Sequence, residues 1–429
     1  MTIAHHAAGH GTDQFIPVSK RDIIEALMRS GAMAGAAEQE KFRRLCGVLA
    51  AIYHYEYLTL LERLRHDYYY FAPEIEPHAA MDRTALARAY DDLLRSLDQV
   101  LKDANFVEVP HREIGDAHQR RTVLRVEVKA RLDDFRDIRF YRRGLHFEQF
   151  EVSEWFGLRR RKVEAEVYDD VVILLAMKSQ AEIASQREQR SLARRKLRPG
   201  SILLKCFRNI ATSDLNALFP NVRVVMSNLD KLILGAPAVV GGIPLLLKIY
   251  ATITVLFLVI GFYLGATAEV HDKDMKTALA ALSGLAALGA FVARQWVKYQ
   301  RQSLRYRTEL SENVYYRNIT NNAGIFDYLI GAAEEQECKE AVLAYHFLCT
   351  APAPPDAREL GGRIEGWLRE TFGVDLDFKV EDALTRLERL GLLRRGGQRL
   401  FVSPLEGALA QLHDVWNNLF PAEKPVAAV

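Results

Sequence analysis

Two apolar stretches in the second half of the chain constrain its fold most, because they decide which solvent it meets. Residues 249–268 (IYATITVLFLVIGFYLGATA) run for twenty positions without a charge. At about 1.5 Å per residue, a helix of that length matches the roughly 30 Å hydrocarbon core of a bilayer. Residues 277–293 (TALAALSGLAALGAFVA) are shorter and rich in alanine, which suits the return arm of a hairpin. The pattern predicts a two-helix transmembrane hairpin. Its flanks orient it: Lys231, Lys248, Arg294, Lys298, Arg301, Arg305 and Arg307 lie outside the spans, whereas the linker 269–276 holds only Lys273 and Lys276 beside three acids. This bias predicts that both termini are cytoplasmic. Lys248, Arg294, Trp296, Lys298, Arg301 and Arg305 are candidates for the membrane interface, where arginines and lysines meet headgroups and Trp joins an aromatic belt. Gly261 with Gly265, and Ala280 with Gly284, are candidates for close helix packing. Residues 232–247 are uncharged but broken by Gly and Pro; such backbone cannot face lipid, so they are expected at the interface, re-entrant or buried.

The remainder reads as an α+β body with a helical C-terminal module. Residues 1–14 carry three histidines, no lysine or arginine and no apolar core, which predicts a disordered tail rather than a targeting segment. Ser19 is placed to cap a helix near 20–30, with Asp22 at the capping-box position. Phe42, Leu45, Leu49, Ile52, Tyr53, Leu60 and Leu64 recur at three and four, the period of one buried helical stripe, and a further helix is expected over 83–102. After residue 105 the period falls to two. Short strands are expected at 122–129, 137–141, 145–152 and 161–167, broken at Gly144 and Gly157, and the apolar run 170–177 is expected to be central. The basic clusters Arg142-Arg143, Arg159–Lys162 and Arg194–Lys196 are expected on a solvated sheet face, with membrane-headgroup contact and nucleic-acid binding as the alternatives. Residues 15–231 thus form one α+β domain, 232–293 the membrane part and 294–332 a helical stalk. Within 333–420, three helices, a hairpin and a closing helix spell a winged-helix-like domain, followed by a tail at 421–429. The run 334–337 is expected to be solvated. The third winged-helix helix offers Glu381, Asp382, Thr385, Arg386, Glu388 and Arg389, a mixture that repels phosphate as much as it attracts it.

Several strings acquire meaning as a set: FIPV from Phe15, HYEY from His54, FRDIRFYRRG from Phe135, FRNI from Phe207, LFPN from Leu218, DKL from Asp230, NVYY from Asn313 and KEAVLAY from Lys339. Together they make the chain resemble the transmembrane protein 143 family over roughly residues 15–420. The resemblance implies a two-pass membrane protein built on a domain of unknown function. It brings no activity, cofactor or catalytic residue. The missing Arg-rich presequence points to the bacterial form, hence to the bacterial inner membrane.

The residues themselves supply no catalytic constellation. The chain lacks a phosphate-binding lysine loop and a nucleophile elbow, and Cys46, Cys206, Cys338 and Cys349 lack metal-ligand spacing. No enzyme activity, cofactor or metal is expected. With a net charge of only +2, no global electrostatic attraction to nucleic acid is expected. The leading functional reading is a membrane scaffold whose α+β and winged-helix parts contact a protein partner or a second copy of the chain. An oligomeric channel or transport component and a membrane-tethered DNA binder are the alternatives.

Overall fold

The structure is a computed structural model. It describes residues 13–75 (except 32 and 34), 82–110, 127–129, 132–154, 159–180, 182–183, 198–219, 223–225 and 272–419, with the single positions 257, 260, 261 and 264. In chain order the described elements begin with α1 (Lys20–Arg29), α2 (Ala36–Tyr69) and α3 (Arg83–Asp103). Strands β1 (Val107–Glu108), β2 (Glu127–Lys129), β3 (Phe135–Glu154), β4 (Arg159–Met177), β5 (Ile202–Ala211) and β6 (Arg223–Val225) follow. After them come α4 (Asp272–Arg317), β7 (Asn318–Asn321), α5 (Gly324–Cys349), α6 (Ala357–Phe372), α7 (Val380–Arg389), β8 (Leu393–Gly396), β9 (Arg399–Val402) and α8 (Leu405–Leu419).

The chain divides into two compact units. The first, residues 1–116, 132–212 and 317–429, holds an antiparallel sheet in the order β1-β3-β4-β5-β7. The apolar run 170–177 occupies its central strand, and residues 171–177 are buried without exception, as a strand covered on both faces requires. Gly144 does not break the sheet. β3 runs through it at φ +65°, a left-handed conformation that glycine adopts without steric cost, so the two expected strands are one.

Helix starts follow local capping. The Ser19 hydroxyl accepts from the Asp22 N–H at 3.1 Å and caps α1 as expected. Asp356 and Glu359 close a full capping box on α6. The predicted stripe of α2 is buried at Phe42, Leu45, Leu49, Ile52, Tyr53 and Leu64, and α6, α7, the β8–β9 hairpin and α8 fall where the periodicity placed them. One apolar core runs through this unit, with Leu329, Val342 and Leu343 of α5 packed among side chains from α1, α2, α3, the sheet, α6, α7 and α8. The described part of the second unit, residues 117–131 and 213–316, includes the antiparallel pair β2–β6, a buried 3-10 segment within Thr212–Leu218, and α4.

The membrane expectation is corrected here. Among the described residues no helix is long and apolar enough to cross a membrane, which overturns the membrane-protein fold class, the two-pass hairpin and the inner-membrane location with cytoplasmic termini. Residues 277–293 amount to only about 26 Å of helix, short of the roughly 30 Å required. They sit inside a 46-residue helix that continues through Arg294, Lys298 and Arg301. The stretch 249–268, apart from positions 257, 260, 261 and 264, lies outside the described residues, as does 232–247.

Gly144 gives this fold a sharp test. A Cβ there would fall inside the Asp169 side chain, and φ is already left-handed. Gly144→Ala is expected to cost about 1–3 kcal/mol of unfolding free energy in a urea titration. A loss below roughly 0.5 kcal/mol, the range of an unremarkable surface substitution, would show that the strand accommodates a side chain there.

Candidate functional site

The strand register brings together residues far apart in sequence. Arg143 on β3 lies opposite Asp170 on β4, and Asp170 lies opposite Arg208 on β5, so the three make one row across three strands. The Asp170 carboxylate, 4 % exposed, accepts from Arg143 Nε at 2.8 Å and Arg208 Nε at 3.3 Å. It also accepts from the Tyr328 hydroxyl of α5 at 2.7 Å. Arg143 in addition donates to the Ala104 carbonyl and to the Tyr328 oxygen, and its guanidinium lies over the Phe15 and Phe106 rings, 4.7 Å from each centroid. Burying a guanidinium costs several kcal/mol unless hydrogen bonds and ring faces replace its water, and each replacement is present here. Burial pushes the Tyr328 phenol up to about 12, so it keeps its proton and donates it to Asp170.

The row borders a polar face of α5. Gln336, Glu337, Lys339 and Glu340 are all buried. Gln336 grips the backbone of Ile16 twice, accepting from its N–H at 3.3 Å and donating to its carbonyl at 3.1 Å. Lys339 donates to the carbonyls of Ile16 and Val18, each at 3.0 Å. Asn105, just past α3, donates both to the Gln14 carbonyl and to Glu340. Residues 13–18 are therefore a strap held by side chains, not an extension of a tail. On the other side of the same face, Arg386 of α7 donates to Glu340 at 2.7 Å and meets Glu337, with Asp103 at 4.0 Å. Burial lowers the Lys339 ammonium to about 8 and raises the Glu340 carboxyl to about 7.

Three expectations change as a result. Arg143 is buried, not solvated; Gln336 and Glu337 point inward; and Arg386 ties α7 to α5. Several other cations of that module also meet acids: Arg389 with Glu56, Arg395 with Glu381 and Glu388, and Arg399 with Glu359. Of the residues singled out from sequence, Arg294, Trp296, Lys298 and Arg301 lie on α4 with exposed side chains, as does Ala280, while Gly284 and Gly261 are half-buried helical positions. Arg305 is a backbone position of α4, and Lys248 and Gly265 lie outside the described residues.

The chemistry of the network is that of buried charge held by hydrogen bonds. Among the described residues no group of three His, Cys, Asp or Glu side chains is arranged to hold a metal. Burial pushes the thiols of Cys46, Cys206 and Cys338 upward, Cys338 to about 11, which keeps them protonated and poorly nucleophilic near neutral pH.

Glu340 makes stability depend on pH in a stated direction. Its carboxyl titrates near 4.5 when unfolded and near 7 when folded, so between those values the folded chain binds more protons and stability falls as pH rises. The Glu340 contribution is expected to fall by about 3 kcal/mol from pH 4.5 to 7 and then level off. Chemical denaturation of wild type and Glu340→Gln across that window should isolate it, because the variant should lose this component of the slope. Equal slopes would remove Glu340 as its source.

The family comparison covers part of this network. Residues 168–324 match a family described as Protein of unknown function (DUF3754), a stretch that includes Asp170 and Arg208 but neither Arg143 nor Tyr328. No solved structure matches the chain. What the comparisons establish is a domain of unknown function over residues 168–324.

Proposed function

We propose that the chain is an interaction scaffold, with no reaction of its own, whose helix α4 seats in an apolar, acid-rimmed groove of a protein partner. The observation that carries this reading is the distribution of side chains around α4. At about 100° per residue, Leu279, Leu282, Val292, Trp296, Val297, Leu304 and Tyr315 fall within an arc of about 140°, and Lys276, Arg294, Lys298 and Arg301 fall within about 60° beside it. The seven apolar residues are between 46 % and 75 % exposed. A helix that shows water this much apolar surface in one stripe is built to be covered, and an adjoining cationic stripe favours an acidic rim. Gln300, Ser303, Arg307 and Ser311 are polar positions within the same arc.

The winged helix supports the same reading from the other direction. Its third helix is tied to α5 through Arg386, and Arg389, Arg395 and Arg399 are each paired with glutamate, which takes these four arginines away from phosphates. It serves here as a packing module rather than a DNA reader. We also infer kinship with the transmembrane protein 143 family at the level of the first unit. The strings that carry that resemblance contribute Phe15, Arg143 and Arg208, which meet in or beside the charged row.

The test uses the full chain with Leu282→Glu and Leu304→Glu combined. Cross-linking and light scattering of wild type should show an added protein mass, and the double variant should recover about tenfold less of it, with the melting of the folded body unchanged. A wild-type chain that runs at monomer mass with nothing cross-linked, or a variant that keeps its partner, would remove this proposal.

A further inference from the structure

The charged row holds more positive than negative charge. Two guanidinium groups, Arg143 and Arg208, share the single carboxylate of Asp170, and Tyr328 spends its proton on that same carboxylate. Arg143 is 7 % exposed and surrounded by rings and acceptors, so any compensating anion has to approach from Arg208, whose side chain is 57 % exposed. The shape of the guanidinium says how. Arg208 uses its Nε edge inward, donating from Nε to Asp170 at 3.3 Å and from Nη2 to the Tyr328 oxygen at 3.2 Å. Its outer edge, formed by Nη1 and the second hydrogen of Nη2, carries parallel donors to which no described residue offers an acceptor. Such a fork is matched by two oxygens of a planar or tetrahedral oxyanion. Because the inner edge is fixed by two hydrogen bonds, the outer edge is held in place before anything binds, which lowers the ordering cost of recognition.

We infer that Arg208 is the receiving group of an oxyanion site, and that its ligand is a phosphate, either free or carried as a phosphoryl group on a larger molecule. Asp170 and Tyr328 are positioning residues: they orient the fork and do not touch the ligand. The site stands on the strand register and on charge balance in the first unit, independently of the α4 reading.

The experiment titrates full-length protein with inorganic phosphate, and separately with O-phosphoserine, at constant ionic strength set with chloride. Binding is followed by phosphorus NMR line broadening. Wild type should bind at least one of the two, and whichever binds more tightly distinguishes the bare ion from the carried group. Arg208→Gln should weaken binding by about tenfold or more, and Arg208→Lys, which keeps the charge but loses the fork, should weaken it several-fold. Unchanged circular dichroism and melting show that a variant has folded; should the Gln variant fail that check, the Lys variant decides. Absence of wild-type binding to both ligands, or affinities in the folded variants equal to wild type, overturns the site.

Discussion

Burying charge along one face of a helix obliges the rest of the protein to come to it. α5 turns Gln336, Glu337, Lys339 and Glu340 away from water, and each needs a partner, since a buried ion without one costs far more than a hydrogen bond returns. The partners come from three distant places, the backbone of the strap, the end of α3 and Arg386 of α7, while Tyr328 of the same helix reaches the sheet. Apolar packing alone would let these parts slide, because hydrophobic contact is non-directional. The polar face of α5 fixes their register. Losing one partner of a buried pair is worth about 3–5 kcal/mol, mostly as the penalty on the charge left behind.

This dependence explains which parts of the fold were legible in the sequence. Elements whose signal is local came through: the Ser19 cap, the α2 stripe from Phe42 to Leu64, the central strand at 170–177 and the order of α6, α7, the β8–β9 hairpin and α8. Each is encoded by spacing within one segment. The charged row was not legible. Arg143, Asp170 and Arg208 are separated by 27 and 38 positions, and nothing in the pattern around Arg142-Arg143 distinguishes a buried arginine from a solvated neighbour. Only the register across three strands does so. The run at 334–337 failed for a related reason. Charged residues were assigned to water, whereas the helical period places 336, 337 and 340 on one side of α5, and that side is covered. One signal did reach part of the site: the strings FIPV, FRDIRFYRRG and FRNI contain Phe15, Arg143 and Arg208, although the strings alone gave no reason why they belong together.

The membrane expectation failed on a different point. A hydropathy window averages around the whole circumference of a helix and is blind to where the apolar residues face. In α4 the stretch 277–293 scores as apolar largely through alanine, whose small side chain removes little surface from water per residue. The larger apolar side chains, from Leu279 to Tyr315, form a stripe that outruns this stretch by more than twenty residues and shares the helix with Arg294, Lys298 and Arg301. Angular position, rather than mean hydropathy, describes such a helix.

The two outward-facing features also differ in how they can act. α4 presents a broad, weakly directional surface, whose affinity for a partner depends on area and shape. Arg208 presents two parallel donors locked from behind, a small and strongly directional feature. Its rigidity traces to Asp170, which is held in turn by Arg143, by Tyr328 and hence by α5. A charge arriving at Arg208 therefore meets a group connected by an unbroken line of hydrogen bonds to α5, on which the strap and α7 are registered. Binding there would neutralise the surplus of the row and relieve repulsion between its two guanidinium groups, and the inner edge of Arg208, already fixed by its two hydrogen bonds, would not need to move.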